Sequence, residues 1–211
     1  MKYSDGRPVE IAFLIEISSK FPQMFLNEKG RTSVKNDGLM PSALSGPVLD
    51  FLMPKITLLG NGGAIWILAA LILLCTKKYR RQGVLLLVGL VAGVLVGNAC
   101  LKNLIARPRP CWLDSSVQLL NANPADYSFP SGHTLSSVIG ATGLTKTNRR
   151  FGYAAIPLAA LIAFSRLYLY VHFPSDVLAA AVLGVALGEL VWRCGGKLLE
   201  RWHAPRGRQR A

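Results

Sequence analysis

Two of the chain's three histidines stand among residues that could act on a phosphate. His172 lies six residues after Arg166 and four before Asp176, in Ser165-Arg166-x5-His172-x3-Asp176. His133 closes Pro130-Ser131-Gly132-His133, and a third stretch runs from Lys102 across six residues to Arg109-Pro110. A carboxylate accepting one ring N–H fixes an imidazole's tautomer and leaves its other nitrogen nucleophilic, a role Asp176 can serve for His172. Pro-Ser-Gly-His reads as a helix start. Ser131 is a natural N-cap, Gly132 lets a ligand approach the backbone, and free N–H groups at a helix N-terminus bind anions. Lys102, Arg109 and Arg166 are side chains of a kind that can hold phosphate oxygens.

Each stretch has an ordinary reading. A histidine at the end of a span can be a satisfied interfacial residue, Pro-Ser-Gly can be a plain cap, and a basic residue beside an apolar run can snorkel to the interface, as Arg107 is read to do. Arg166 resists that explanation because it sits inside an apolar segment, where a charge is costly and marks function. Seven residues from Lys102 to Arg109 would put both on one face of a helix. Pro108 and Pro110 make a continuous helix improbable there, so the chain is expected to bend around Arg109. Pro174 suits the first position of a new helix, with Asp176 in its first turn.

The elements that must position these groups are apolar. The 211 residues are 51% hydrophobic and 17% charged, which leans toward a membrane protein. Five spans are legible, at about 56–76, 82–101, 131–147, 151–171 and 175–194. The third is rich in Ser, Thr and Gly and is expected to be buried among the others. Gly89, Gly93 and Gly97, then Gly184 and Gly188, repeat at the spacing that lets helices approach closely in lipid.

Residues 1–55 read as an N-terminal interfacial and loop region. Two amphipathic stretches there, one near Ile11–Ser18 and one from Val48 to Leu59, suit the membrane surface better than a crossing. Residues 56–196 form the transmembrane domain and 197–211 a basic tail. The expected class is therefore all-α, a polytopic bundle of five to six spans.

The net charge of +13 is concentrated in Lys77–Arg81, in Lys146 with Arg149-Arg150, and in the tail. These alternate as one side of a five-span bundle should, and the positive-inside rule makes that side cytoplasmic. The candidate site then faces outward. The same pattern argues against nucleic-acid binding, since the charge lies between apolar runs and not on one face. Four cysteines without a CxxC or Cys/His cluster suggest neither a zinc site nor a disulfide framework.

Together the stretches resemble the tripartite signature of the type-2 phosphatidic acid phosphatase superfamily, K-x6-RP, PSGH and SR-x5-H-x3-D, at every defining position and in order. The resemblance covers about residues 56–195 and points to the membrane lipid-phosphatase branch. It implies that His172 attacks phosphorus with Asp176 orienting it, and that His133 is the general acid and base. Lys102, Arg109, Arg166 and the amides of Ser131 and Gly132 would cradle the phosphate. It implies a lipid phosphate substrate: undecaprenyl pyrophosphate, phosphatidylglycerol phosphate or phosphatidic acid, with the polyprenyl pyrophosphate slightly favoured. No cofactor and no metal is expected, because three cations already balance the phosphate, and Asp114, Asp126 and Asp176 are too scattered for a two-metal site. Two alternatives stay open. One is a phosphotransferase with the same phosphohistidine, and the other is a non-catalytic protein that binds anionic membrane lipids.

Overall fold

The computed structural model describes residues 46–113 and 119–203, with side chains through Leu198, and every regular element among them is helical. The stretch near Ile11, most of the 27–47 loop and the last eight residues lie outside this range. Helix α1 is Pro47–Leu59 and α2 is Ala64–Cys75. Helix α3, Arg80–Gly93, continues through a π-helical segment, Val94–Leu101, into a last α-helical turn, Lys102–Ile105. The short α4 is Pro110–Leu113, α5 is Gly132–Thr147, α6 is Arg149–Tyr168 and α7 is Pro174–His203.

Among the described residues, three helical stretches are long and apolar enough to cross a membrane: Arg80–Leu113, Arg149–Tyr168 and Pro174–Leu198. The pair α1–α2 makes a fourth if counted as one span, but it is bent by 44°. The first span is thus not the unbroken helix expected over 56–76. The cause is Gly60-Asn61-Gly62-Gly63, where Gly62 and Gly63 take φ of 58° and 74°, a region that side-chain-bearing residues avoid. Helix α5 has 16 residues, short of a span on its own. The prolines act as expected. The helix ends at Ile105, Ala106 turns left-handed at φ 47°, and Pro110 and Pro174 each open a new helix.

Helix α5 is the centre of the bundle, packed against α3, α6 and α7. Its buried face mixes Leu135 and Ile139 with Thr134, Ser137 and Gly140. Trp66 of α2 is buried beside it, and its indole N–H donates to Ser137 Oγ at 3.0 Å, so no polar group is stranded. The glycine stripe of α3 is the seat for this helix. A Cβ on Gly93 would stand 2.6 Å from Ile139 Cδ1, and one on Gly89 3.1 Å from Ile139 Cγ2. On the other side Gly184 of α7 lies against Val138 in the same way.

The helix ends sort by chemistry. The C-terminal ends of α3 and α6 meet the N-terminal ends of α5 and α7 at one end of the bundle. Lys146 and Arg149 cap the other end, where Tyr79 packs edge-on to Phe151 and Lys146 pairs with Glu189 at 2.6 Å.

Overpacking a seat of this kind costs about 1–3 kcal/mol. Gly93→Leu is therefore expected to lower the thermal unfolding midpoint in detergent by several degrees. Val182→Leu, on an exposed apolar face of α7, should leave it unchanged.

Candidate active site

The turns and helix ends at that pole converge on a cavity of about 580 Å³. Lys102, Arg109, Gly132, His133, Arg166 and His172 all line it. Ser131 and Asp176 stand directly behind, both fully buried. All eight residues singled out from the sequence are thus brought together, from four helix ends and two loops.

His172 lies between α6 and α7 and is 1% exposed. Arg109 Nη1 donates to its Nε2 at 3.2 Å. A guanidinium can only donate, so Nε2 carries a lone pair and Nδ1 the proton in the neutral ring. That Nδ1 lies 3.4 Å from Ser128 Oγ and 3.7 Å from Asp176 Oδ2. The carboxylate is therefore not in direct hydrogen-bond contact with the ring, as the sequence had suggested; 3.7 Å is too long. Ser128 bridges the gap, donating its hydroxyl to Asp176 Oδ2 at 2.5 Å. Burial pushes the imidazole pKa down to about 4; Asp176 opposes this and Arg109 and Arg166 reinforce it. At neutral pH the ring is uncharged with its lone pair toward the cavity.

Asp176 is over-determined. Oδ2 also accepts from the Phe173 amide at 2.9 Å, and Oδ1 accepts from Arg107 Nη1 at 2.5 Å. Arg107 does not snorkel to the interface. It is 5% exposed, bonds Ser175 Oγ at 2.9 Å and lies over the Phe173 ring at 3.8 Å. A buried carboxylate must find a counter-charge, and this arginine is it. Arg107 and Ser128 are two site residues that sequence reasoning missed.

The cavity cations are held differently. Lys102 Nζ and Arg109 Nη2 share the Asp126 carboxylate, Arg109 at 2.6 Å. Arg109 also donates to two main-chain carbonyls, Val171 O at 2.7 Å and Asp126 O at 2.6 Å. Partial burial raises the Asp126 pKa, but Lys102 and Arg109 outweigh it and hold it at about 2. Arg166 is 5% exposed, and Nη1 donates to Thr57 Oγ1 of α1 at 2.5 Å. Its buried Nε has no hydrogen-bond partner, and Arg166 forms no ion pair among the described residues. A buried unsatisfied donor is rare enough to call for a ligand.

The start of α5 matches its sequence reading as a capped helix start, but the Ser131 amide expected to face a phosphate donates instead to the Asp176 main-chain carbonyl at 3.3 Å. Ser131 is the N-cap, its Oγ accepting from the Thr134 amide at 3.5 Å. A Cβ on Gly132 would meet Asn98 Oδ1 at 3.0 Å. His133 Nε2 lies 2.8 Å from Asn61 Oδ1, on the α1–α2 corner. Three cations and one carboxylate leave the cavity with two positive charges, the complement of a phosphate dianion. Among the described residues no group of three or more His, Cys, Asp or Glu is placed to hold a metal ion.

This geometry has known counterparts. The model of the PAP2 superfamily matches residues 82–200. The chain belongs to the PAP2 superfamily. It is 36% identical over 121 residues to an undecaprenyl-diphosphatase of Sulfolobus acidocaldarius, an alignment covering 57% of this chain and 58% of that protein. It is 30% identical over 146 residues to undecaprenyl-diphosphatase BcrC of Bacillus subtilis, covering 69% of this chain and 75% of the relative. Among solved structures, Aquifex aeolicus LpxE superposes with a TM-score of 0.63 at 28% identity, over 72% of this chain and 89% of that one. A PAP2-type phosphatidylglycerolphosphate phosphatase from Bacillus subtilis shares the fold with a TM-score of 0.62 at 24% identity, over 94% of this chain and 98% of that one. The matched family segment begins at Gln82, so α1, α2 and their corner precede it.

The buried His172 makes stability depend on pH. An unfolded imidazole titrates near its ordinary 6.5, the folded one near 4. Between those values the unfolded chain binds the extra proton, so stability falls as pH drops through that window. Asp126 titrates lower and contributes nothing there. Thermal unfolding in detergent from about pH 7 down to pH 4 should show this decline, and His172→Gln should reduce its slope.

Proposed function

We propose that the protein is an integral membrane lipid phosphatase that works through a phosphohistidine on His172. The observation that carries this reading is the cavity itself, which is lined by a buried arginine with an unpartnered Nε and by a neutral imidazole whose Nε2 lone pair accepts from Arg109, a hydrogen bond that a docked phosphate would take over. The phosphoryl group docks among Lys102, Arg109, Arg166 and the amide of Gly132, which all belong to cavity-lining residues. Fixed donors of this kind stabilise the charge spread over the transferring group.

The steps follow. His172 Nε2 forms a bond to phosphorus as the bond to the lipid oxygen breaks. The bonding pair leaves on that oxygen, which takes a proton from His133 acting as general acid. Ser128 and Asp176 stabilise the positive charge that develops on the His172 ring. Water then attacks phosphorus and gives its proton to His133, and the P–N bond breaks with its electrons returning to Nε2. Three cations neutralise the phosphate without a metal.

The substrate is a lipid phosphomonoester or pyrophosphate. Ile67, Val91, Val94 and Leu95 line the cavity and are also exposed on the apolar surface of α2 and α3. That opening suits a substrate entering sideways from the leaflet with its tail left in lipid. Undecaprenyl pyrophosphate is the favoured candidate, ahead of phosphatidylglycerol phosphate and phosphatidic acid, in keeping with the names of the relatives above.

The protein lies in the cell membrane, with its basic loops in the cytoplasm and its site facing outward. Helices α3, α6 and α7 cross by their own length; the shorter α2, entered through the bend at 60–63, and the central α5, shielded from lipid by its neighbours, bring the crossings to five, with α1 along the outer interface. Residues 56–196 are the catalytic domain and 197–211 a basic cytoplasmic tail.

The purified protein in detergent, without added metal or acceptor, should release inorganic phosphate from these lipids, and excess EDTA should leave the rate unchanged. An acid-labile phosphoenzyme should be trapped by rapid quench, and His172→Ala should abolish both signals. Release that depends on an added lipid or sugar acceptor would make the protein a transferase. Full activity in His172→Ala would overturn the mechanism.

A further inference from the structure

The corner between α1 and α2 precedes the family-matched segment, yet it forms one wall of the cavity. Three of its residues reach the site. Thr57 accepts from Arg166. Gly60 is pressed so close that a Cβ there would stand 2.7 Å from His133 Cδ2 and 2.9 Å from Ile162 Cγ2. Asn61 Oδ1 lies 2.8 Å from His133 Nε2. The turn is fixed by its own hydrogen bonds, Gly60 N to Thr57 O and Gly63 N to Gly60 O, both 3.0 Å. The backbone that carries Asn61 is therefore set by its own turn beside the histidine.

A side-chain carbonyl can only accept. Bonded to Nε2, it keeps the proton there in the neutral ring and leaves the lone pair on Nδ1. A histidine that alternates between acid and base needs one nitrogen anchored and the other free to exchange a proton. We propose that Asn61 is a positioning residue for His133, accepting its Nε2–H so that Nδ1 gives the proton to the leaving oxygen and later takes one from water. This deepens the phosphatase reading and rests on it.

The test uses leaving groups that differ in their need for a proton. Phosphatidic acid expels an alkoxide and needs the acid, whereas p-nitrophenyl phosphate expels a stable phenolate and does not. Single-turnover release of the leaving group (glyceride lipid or p-nitrophenolate), the step before water attacks, is measured by rapid quench on the full-length protein in detergent. Asn61→Ala should lose roughly 10- to 100-fold with phosphatidic acid and stay within about twofold with p-nitrophenyl phosphate, since a positioned acid contributes on the order of 10²–10⁴. Asn61→Asp keeps the acceptor, so its rate at saturating lipid should recover to within about threefold of wild type, while the added negative charge raises KM. His133→Ala should show the same split as Asn61→Ala, and more strongly.

Equal losses on both substrates, or none on either, would overturn the role of Asn61 while leaving the phosphatase intact. A His133→Ala protein without the split would overturn the underlying mechanism and the proposal with it.

Discussion

Four buried cations within one end of a bundle is a severe electrostatic constraint, and the site is the way this chain meets it. Like charges a few ångströms apart in a poorly polarisable interior repel strongly. Arg107 is removed from the problem by Asp176, which it meets behind His172. Lys102 and Arg109 are moderated together by Asp126, whose side chain is 56% exposed while theirs are nearly closed off. Among the described residues Arg166 has a hydroxyl for its Nη1 and no partner for its Nε. The result is a neutral wall behind the imidazole and a positive hollow in front of it. A dianion entering the hollow completes the charge balance, and the product leaves a site in which Asp126 already offsets part of the attraction.

The same division explains the state of His172. Its ring sits between the neutral wall and the positive hollow, so protonation is opposed by burial and by Arg109 and Arg166, with only Asp176 favouring it. A nucleophilic imidazole must be uncharged, and no separate device is needed to keep it so. Ser128 transmits the carboxylate's influence as a hydrogen-bond bridge, which orients Nδ1 without bringing the full anion into contact.

Much of this was legible from residue types and spacing, and what was not has physical reasons. The helices, their caps and the prolines that open or end them are local features, and they stand close to where the pattern puts them. The glycine repeat predicted close approach, and Gly93 and Gly184 meet α5 as it required. The motif residues came together because each carries its own chemical signature. Arg107, Ser128, Asp126 and Asn61 were missed as site residues because their roles come from partners far off in the chain. Arg107 bonds Asp176 across 69 positions and Asn61 meets His133 across 72. No periodicity encodes such pairs. Arg107 in particular looks like any interfacial arginine until the buried carboxylate opposite it is known. The first span was misread for a related reason. Gly60 to Gly63 sits in an apolar run, and hydropathy averages over a break that only backbone conformation reveals.

Helix α5 shows how fold and chemistry share one cause. With Thr134, Ser137 and Gly140 on its buried side, it is a poor candidate to face lipid. Those residues would be costly in hydrocarbon, where polar groups lack partners. Surrounded by α3, α6 and α7, with Ser137 bonded to Trp66, they are satisfied. Burial at the centre of the bundle is the low-energy place for this helix, and at that centre its N-terminus opens toward the ends of its neighbours. Gly132 and the His133 ring thereby reach the cavity without any loop having to carry them there, while the Ser131 amide is held by the Asp176 carbonyl at 3.3 Å. A more apolar α5 would gain as a membrane span and would have no reason to be central. The polarity that weakens it as a crossing is what sets its anion-binding end among the cations.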